Sequence, residues 1–176
     1  MKILYGLYKQ DEGQVLLAGE PAGITRPSDA IQAGLGMIHQ HFMLVATLSV
    51  AENVALGLAD NGFLLNTSLV AARTSELSAQ YGLSVDPQSN VWQLAVGERQ
   101  RVEIVKALYR ECRLLILDEP TAVLTPQEVD ELFVILRRMA DDGRGLIFIS
   151  HKLDEVMALA CLLYTSDAAD ERSSVD

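Results

Sequence analysis

The sequence lacks several features by which common protein classes are recognised. No apolar run approaches the 18 or more residues that a membrane-spanning helix needs, and residues 1–12 show no signal-peptide pattern. The two cysteines, Cys112 and Cys161, are far apart and have no CxxC or histidine spacing, so neither a disulfide framework nor a zinc site is indicated. We therefore expect a cytosolic protein with ordinary thiols.

Basic residues are also scarce. Lys and Arg number 14 against 24 Asp and Glu, which gives a formal net charge of -10. A nucleic-acid-binding protein needs a basic stripe that neutralises phosphates, so no nucleic-acid partner is expected. If the protein binds a polyanion, particular groups at the binding site must hold it, because the net charge of the chain does not attract it. The apolar content of 49% is enough for the core of one globular domain.

The clearest pattern lies in the C-terminal half. Residues 114–117 form a short apolar run that is typical of a strand buried on both faces, and residues 146–149 form another. Between them, apolar residues recur at helical spacing. A strand, an amphipathic helix and a second strand make a βαβ unit with parallel strands, so the predicted fold class is α/β.

The boundaries of that helix are also marked in the sequence. Thr125 is followed by Pro126 and, three residues after the threonine, by Glu128. This is a capping-box arrangement that predicts a helix start. Gly143 is placed to end the helix.

Other elements are predicted from weaker patterns. Residues 13–19 and 36–39 each indicate a short strand between turns. Residues 49–81 are rich in Ala, Leu, Glu and Ser, which favours helices, with an interruption near residues 60–62.

Polar residues follow both predicted C-terminal strands. Asp118 and Glu119 leave the first strand, and Ser150 and His151 leave the second. Ligands of open α/β sheets bind at the carboxyl ends of strands, so these positions are candidates for a functional site. The alternative is structural: the acidic pair simply breaks a strand, and His151 caps the following helix.

Four segments carry a more specific signal. In chain order they read GMIHQHFMLVATLSVAENVALG, LAVGERQRVEIVKAL, LLILDEPTAVLTPQEVDEL and IFISHKLDEV. They resemble, in family order, the Q-loop, the signature helix, the Walker B segment with its D-loop, and the H-loop of ABC ATPases. The resemblance extends over residues 1–160. It implies a P-loop NTPase fold of the ABC cassette type, with a parallel core sheet and a helical subdomain at about residues 49–96.

The resemblance implies roles for individual residues. Asp118 would help to hold Mg²⁺, and Glu119 would be the general base that polarises the attacking water. Gln40 would sense Mg²⁺ and the γ-phosphate of ATP, and His151 would contact that phosphate. Asp118 and Glu119 could divide these tasks because neighbours on an extended chain face opposite ways.

The signature segment would act on a second cassette. The resemblance implies that Ala95, Val96, Gly97 and Glu98 contact ATP held by the opposite cassette, and free N–H groups at a helix start are suited to an anion. Without the other motifs, residues 98–101 would be interpreted as an ordinary solvated first turn. The family implies that hydrolysis needs two cassettes, either as a dimer or in tandem.

The sequence also departs from the family pattern. Ala95 stands where a serine is usual, which predicts weaker catalysis, and Thr125 stands where the D-loop commonly has aspartate. No G-x-x-x-x-G-K-[ST] loop is present. Because MKILYGLYKQDEG resembles the continuation of the P-loop helix, we expect a truncated cassette that lacks the P-loop and the C-terminal end and is inactive alone.

Residues 161–176 do not resemble the family. Their first part can be encoded by DNA that resembles a transposase-type sequencing adapter. We expect a tail that is not native, and the alternative is a genuine acidic disordered tail.

The resulting hypothesis is an ATP-hydrolysing subunit of an ABC importer of simple sugars or nucleosides, from the first cassette of a double-cassette protein. ATP and Mg²⁺ would be its cofactors. Its partners would be a second cassette, transmembrane permease subunits docking at about residues 40–58 and, indirectly, a solute-binding protein. The subunit would lie peripherally on the cytoplasmic face of the membrane. The alternative is a non-catalytic, degenerate cassette that serves as a regulatory pairing module; an ABC protein of ribosomes or DNA repair lacks support.

Overall fold

A computed structural model of the chain describes residues 2–56, 58 and 66–159. In those residues, no helix is both long and apolar enough to cross a membrane. The predicted interruption near residues 60–62 and the predicted non-native tail, residues 161–176, lie outside the described part of the chain. The elements are, in chain order, β1 Leu16–Leu17, β2 Glu20–Pro21, α1 Pro27–Gln32, β3 Leu35–Ile38, α2 Val50–Ala55, α3 Thr67–Tyr81, α4 Val96–Tyr109, β4 Leu114–Asp118, α5 Pro126–Asp141, β5 Gly145–Ile149 and α6 Leu153–Leu159.

The three longer strands form one parallel sheet in the order β3-β4-β5. The central strand β4 is the most deeply buried, and Leu115, Ile116 and Leu117 are fully covered. A continuous apolar run is what a strand with both faces packed requires. The α/β prediction, the two C-terminal strands and the strand at residues 36–39 are therefore confirmed.

The connecting helix α5 starts and ends as its sequence predicts. The backbone N–H of Thr125 donates to the Glu128 carboxylate over 2.8 Å, and the Thr125 hydroxyl accepts from the Glu128 N–H over 3.4 Å. Its buried face carries Leu132, Phe133, Ile135, Leu136 and Met139. Gly143, with a φ of 81°, follows the last turn.

The helices α2 and α3 confirm the helical prediction for the described part of residues 49–81. Ser49 caps α2 by accepting the Glu52 N–H over 3.2 Å, and Gly82 ends α3 in the left-handed conformation. Buried residues of these helices join those of β4 and α5 in one continuous core. The boundary of a helical subdomain at residues 49–96 therefore stays a prediction.

The short strand predicted within residues 13–19 is present but covers only Leu16–Leu17, and it pairs with β2 in a small antiparallel hairpin. Residues 2–8 form turns and bends, and the Gly6 N–H donates to the Ile3 carbonyl over 2.9 Å while the Leu7 N–H donates to the Lys2 carbonyl over 2.8 Å, which is the pattern of a helix end closed by a left-handed glycine. Gly6 adopts a φ of 74° and lies so close to the Arg26 backbone that an added Cβ would come within 2.7 Å of it.

Candidate functional site

The register of the parallel sheet places three motif segments at one edge. Ile38 pairs with Leu117, and Asp118 pairs with Ile149. The residues that follow these pairs on the three strands therefore leave the sheet side by side. This is where an open parallel sheet binds its ligands.

Glu119 lies at that edge of the sheet, and its carboxylate contacts two other motif residues. The side-chain amide of Gln40 donates a long hydrogen bond of 3.5 Å to Oε2 of Glu119. Nδ1 of His151 lies 3.3 Å from Oε1 of the same carboxylate. The structure therefore brings together the three residues that the resemblance assigns to catalysis.

The backbone at Glu119 corrects one expectation. Asp118 ends β4, but Glu119 has a φ of 48°, in the left-handed region that non-glycine residues rarely adopt. The two carboxylates are thus separated by a sharp turn and not by the alternation of an extended chain. The Glu119 N–H still donates to the Ile149 carbonyl over 3.0 Å, which ties this turn to the end of β5.

His151 does not supply the hydrogen bond that precedes α6. The hydroxyl of Ser150 accepts the Lys152 N–H over 3.1 Å. The His151 side chain is 69% exposed and faces Glu119. The purely structural interpretation of His151 as a helix cap is therefore not the arrangement found.

Sequence reasoning missed a second carboxylate beside this edge. The Glu155 side chain on α6 is only 11% exposed and accepts hydrogen bonds from Thr121, Ser150 and Lys152. In the sequence it is one of two adjacent acids, Asp154 and Glu155, and nothing local marks it as buried. The one available signal for a buried carboxylate here was a hydroxyl residue in each neighbouring turn, Thr121 after β4 and Ser150 after β5.

A third carboxylate holds the segment after Gln40. Oε1 of Glu103 on α4 accepts the Met43 N–H over 2.8 Å, and Nζ of Lys106 donates to the Met43 carbonyl over 3.2 Å. Glu103 and Lys106 pair with each other over 3.1 Å. Charged residues within a helix that is buried on most sides must be paired, and that rule was the available signal.

The signature residues Ala95, Val96, Gly97 and Glu98 lie at the start of α4. The Ala95 N–H donates to the Glu98 carboxylate over 2.7 Å, so a side chain from the first turn of α4 accepts the hydrogen bond of this backbone group. Gly97 is buried against the Glu128 carboxylate. Hydrogen bonds from Thr125 and, more weakly, from the Gly97 N–H lower the pKa of Glu128.

The signature residues are not joined to the strand ends directly. Within the described residues, no hydrogen bond or ion pair links residues 95–98 to Glu119. Instead, the start of α4 lies beside Leu124 and Glu128, around the start of α5. This leaves the start of α4 as a surface distinct from the site at Glu119.

The metal expectation rests on the chemistry of the donors. Asp118 and Gln40 offer carboxylate and amide oxygens, which suit Mg²⁺. In the described part of the chain, no group of three His, Cys, Asp or Glu side chains could hold a metal ion. Mg²⁺ usually keeps several waters and is bound by one or two protein groups together with substrate phosphates, so these two donors are chemically suited to it.

Comparison with known proteins agrees with the motifs. The sequence profile described as ABC transporter matches residues 1–122. The glucose import ATP-binding protein TsgD13 of Haloferax volcanii is 48% identical over 90% of this chain and 34% of its own length. The nucleoside import ATP-binding protein NupA of Lactococcus lactis is 47% identical over 91% of this chain and 32% of its own. The chain thus spans about a third of these relatives.

Solved structures show the same fold. A nucleotide-free ATP-binding cassette from an ABC transporter superposes with a TM-score of 0.76 at 22% identity, covering 90% of this chain and 67% of that one. Another is cbiO1 of Clostridium perfringens, part of the complex cbiONQ, with a TM-score of 0.74 at 25% identity, covering 90% and 64%.

Proposed function

The chain belongs to the ABC transporter family of ATP-binding cassettes, and we propose that the protein containing it hydrolyses ATP to energise an importer of simple sugars or nucleosides. The names of the relatives support this solute class, since they include glucose, nucleoside, guanosine and ribose import proteins. The observation that carries the proposed reaction is the convergence of Gln40, Glu119 and His151 at the ends of three parallel strands.

In this proposal Glu119 is the general base. Its carboxylate accepts the proton of the attacking water, whose lone pair displaces ADP from the γ-phosphorus. Gln40 and His151 hold that carboxylate from both sides, over 3.5 and 3.3 Å. His151 then contacts the γ-phosphate as negative charge moves during transfer. Such catalysis depends mostly on positioning and on fixed electrostatics.

Asp118 and Gln40 would hold Mg²⁺. When bound, Mg²⁺ neutralises charge on the β- and γ-phosphates. Asp118 suits this role because β4 fixes it by pairing with Ile149 and because its side chain is partly open. The Gln40 amide can present its oxygen to the ion while its nitrogen remains directed at Glu119.

The start of α4 would serve the second nucleotide. Ala95, Val96, Gly97 and Glu98 would face ATP held by an opposite cassette, which is why a second cassette is proposed as a partner. Support comes from their position at the start of a long helix, where backbone N–H groups favour an anion.

The remaining partners belong to the importer. Permease subunits would dock at about residues 40–58, and a solute-binding protein would act through them. The segment exposes Met43 (67%), Val45 (43%) and Leu56 (44%), which gives it apolar surface for such a contact. The subunit would lie on the cytoplasmic face of the membrane.

The test is the ATPase activity of the full-length protein with Glu119→Gln. The amide keeps the shape of the side chain but cannot take a proton at neutral pH, so we expect kcat to fall by about 100-fold or more. Glu76→Gln is the matched control, because the Glu76 side chain is 65% exposed and pairs only with Arg73 in the described residues. If ATP turnover were equal in both variants, the non-catalytic pairing module would be the better interpretation.

A further inference from the structure

Glu155 lies in the first turn of the short helix α6, yet its side chain is only 11% exposed. A buried carboxylate loses hydration and must be compensated by donors. Three donors surround it. Oε2 accepts from the Thr121 hydroxyl over 2.5 Å and from the Ser150 hydroxyl over 3.1 Å, and Oε1 accepts from the Lys152 ammonium over 2.9 Å.

These donors lie in the two turns that carry the reacting side chains. Thr121 comes two residues after Glu119, and Ser150 and Lys152 are the immediate neighbours of His151. Thr121 is 2% exposed, so its hydroxyl depends on this partner. One carboxylate therefore connects the turn after β4 to the turn after β5.

The reacting side chains themselves have few other restraints. Glu119 occupies a left-handed backbone conformation, which persists only when the surroundings hold it. His151 is mostly exposed and is not fixed by core packing. Their separation of 3.3 Å thus depends on how the two turns are held relative to each other.

We propose that Glu155 is a positioning residue that fixes the separation of Glu119 and His151 by binding Thr121, Ser150 and Lys152 at once. Its hydrogen bonds go to Thr121, Ser150 and Lys152 and not to Glu119, so it acts through the two turns. This inference rests on the proposed ATPase function for its effect on rate, and on the geometry alone for its effect on the turns.

The test compares three single variants of the full-length protein and the double variant of Glu155→Gln with Thr121→Val. Glu155→Gln keeps the size of the side chain but places an amide N–H₂ among donors. Thr121→Val keeps the shape of the threonine and removes its hydroxyl. Asp154→Asn is the matched control, since Asp154 is the exposed acid next to Glu155 on α6.

We expect Glu155→Gln to lower kcat by about 10- to 100-fold with little change in KM for ATP, since misplacement of about 1 Å has effects of this size. Thr121→Val should lower kcat less, and the double variant should be no worse than Glu155→Gln. Each rate is divided by the concentration of folded protein, so that a loss of stability alone does not change it. Asp154→Asn should match the wild type.

Hydrogen exchange gives a readout that does not depend on turnover. The Ala122 N–H donates to the Glu119 carbonyl and the Lys152 N–H to the Ser150 hydroxyl. Both amides should exchange faster in Glu155→Gln and not in Asp154→Asn. If Glu155→Gln resembled Asp154→Asn in exchange and in kcat, the positioning role would be overturned.

The same experiment separates the two proposals. A wild-type protein that hydrolyses no ATP would overturn the proposed function, and exchange would then decide the role of Glu155. Faster exchange at Ala122 and Lys152 would still support a bridge between the turns, whereas unchanged exchange would reject it.

Discussion

Met43 and Glu103 are joined by a 2.8 Å hydrogen bond from the Met43 backbone N–H to the Glu103 carboxylate. Lys106 holds the carbonyl of the same residue over 3.2 Å and pairs with Glu103 over 3.1 Å. The segment that follows Gln40 is therefore attached at two points to the helix that starts at the signature residues.

Replacing Glu103 by alanine should destabilise the chain strongly. The Glu103 and Lys106 side chains are 9% and 13% exposed. Breaking a buried pair by removing one partner leaves an uncompensated charge and costs about 3–5 kcal/mol. The measurement is the free energy of unfolding in urea at neutral pH. Glu76→Ala, in the exposed pair with Arg73, should cost only about 0–1 kcal/mol, and equal losses would contradict the assignment.

Gly6 and Gly13 form a natural pair for testing the N-terminal turn. Both have a positive φ, 74° and 78°, so alanine strains the backbone at either position. Only at Gly6 would the new Cβ come within 2.7 Å of the Arg26 backbone, whereas nothing lies within 4 Å at Gly13. Gly6→Ala should therefore destabilise the chain by about 1–3 kcal/mol more than Gly13→Ala. Similar unfolding midpoints in urea would show that the contact with Arg26 is absent in solution.

Asp29 should make stability depend on pH in the acid range. Hydrogen bonds from Arg26 and Thr25 lower the pKa of Asp29 from 3.8 to about 2. A lowered folded-state pKa means that the stabilisation is complete above pH 3.8 and is lost as the pH falls towards about 2. The unfolding free energy of the wild type should therefore fall more steeply across this window than that of Asp29→Asn. Parallel pH profiles would count against the Asp29 interactions.

Ala95→Ser should raise the ATPase rate of the full-length protein. The new hydroxyl would donate a charge-assisted hydrogen bond to the γ-phosphate, and such a bond is worth about 1.5–3 kcal/mol. Ala95 is also the N-cap of α4 and has no side-chain cap, so serine should stabilise the helix by about 0.5–2 kcal/mol. Measuring kcat and unfolding separately distinguishes the effects, with Ala72→Ser on the exposed face of α3 as the control. No gain in kcat would reject the proposed phosphate contact.

Much of the fold follows from patterns that are local in the chain. The apolar runs of β4 and β5, the cap at Thr125 and the glycine at 143 predicted a βαβ unit with its boundaries. A strand buried on both faces needs such a run, and a helix end needs a partner for its free N–H groups. The residues of the candidate site came from the family resemblance, and the sheet register explains why three of them meet.

At the N-terminus the local pattern was also informative, but the extent of the elements was not. Residues 13–19 contain the predicted strand, and its pairing with β2 limits it to Leu16–Leu17. Gly6 has a positive φ at the end of a helix-like turn, and its close approach to Arg26 is visible only in the tertiary structure.

The sequence by itself determined the α/β class, the main helices and strands, and the identities of Gln40, Glu119 and His151 as candidates. Only the tertiary structure decided that Glu119 turns into a left-handed conformation and that Glu103 and Glu155 bind distant segments. The partners of these two carboxylates include residues 60 and 34 positions away in the chain. A capping box or an apolar run is formed by neighbours in sequence, whereas a buried carboxylate finds its donors only after the sheet and helices have packed.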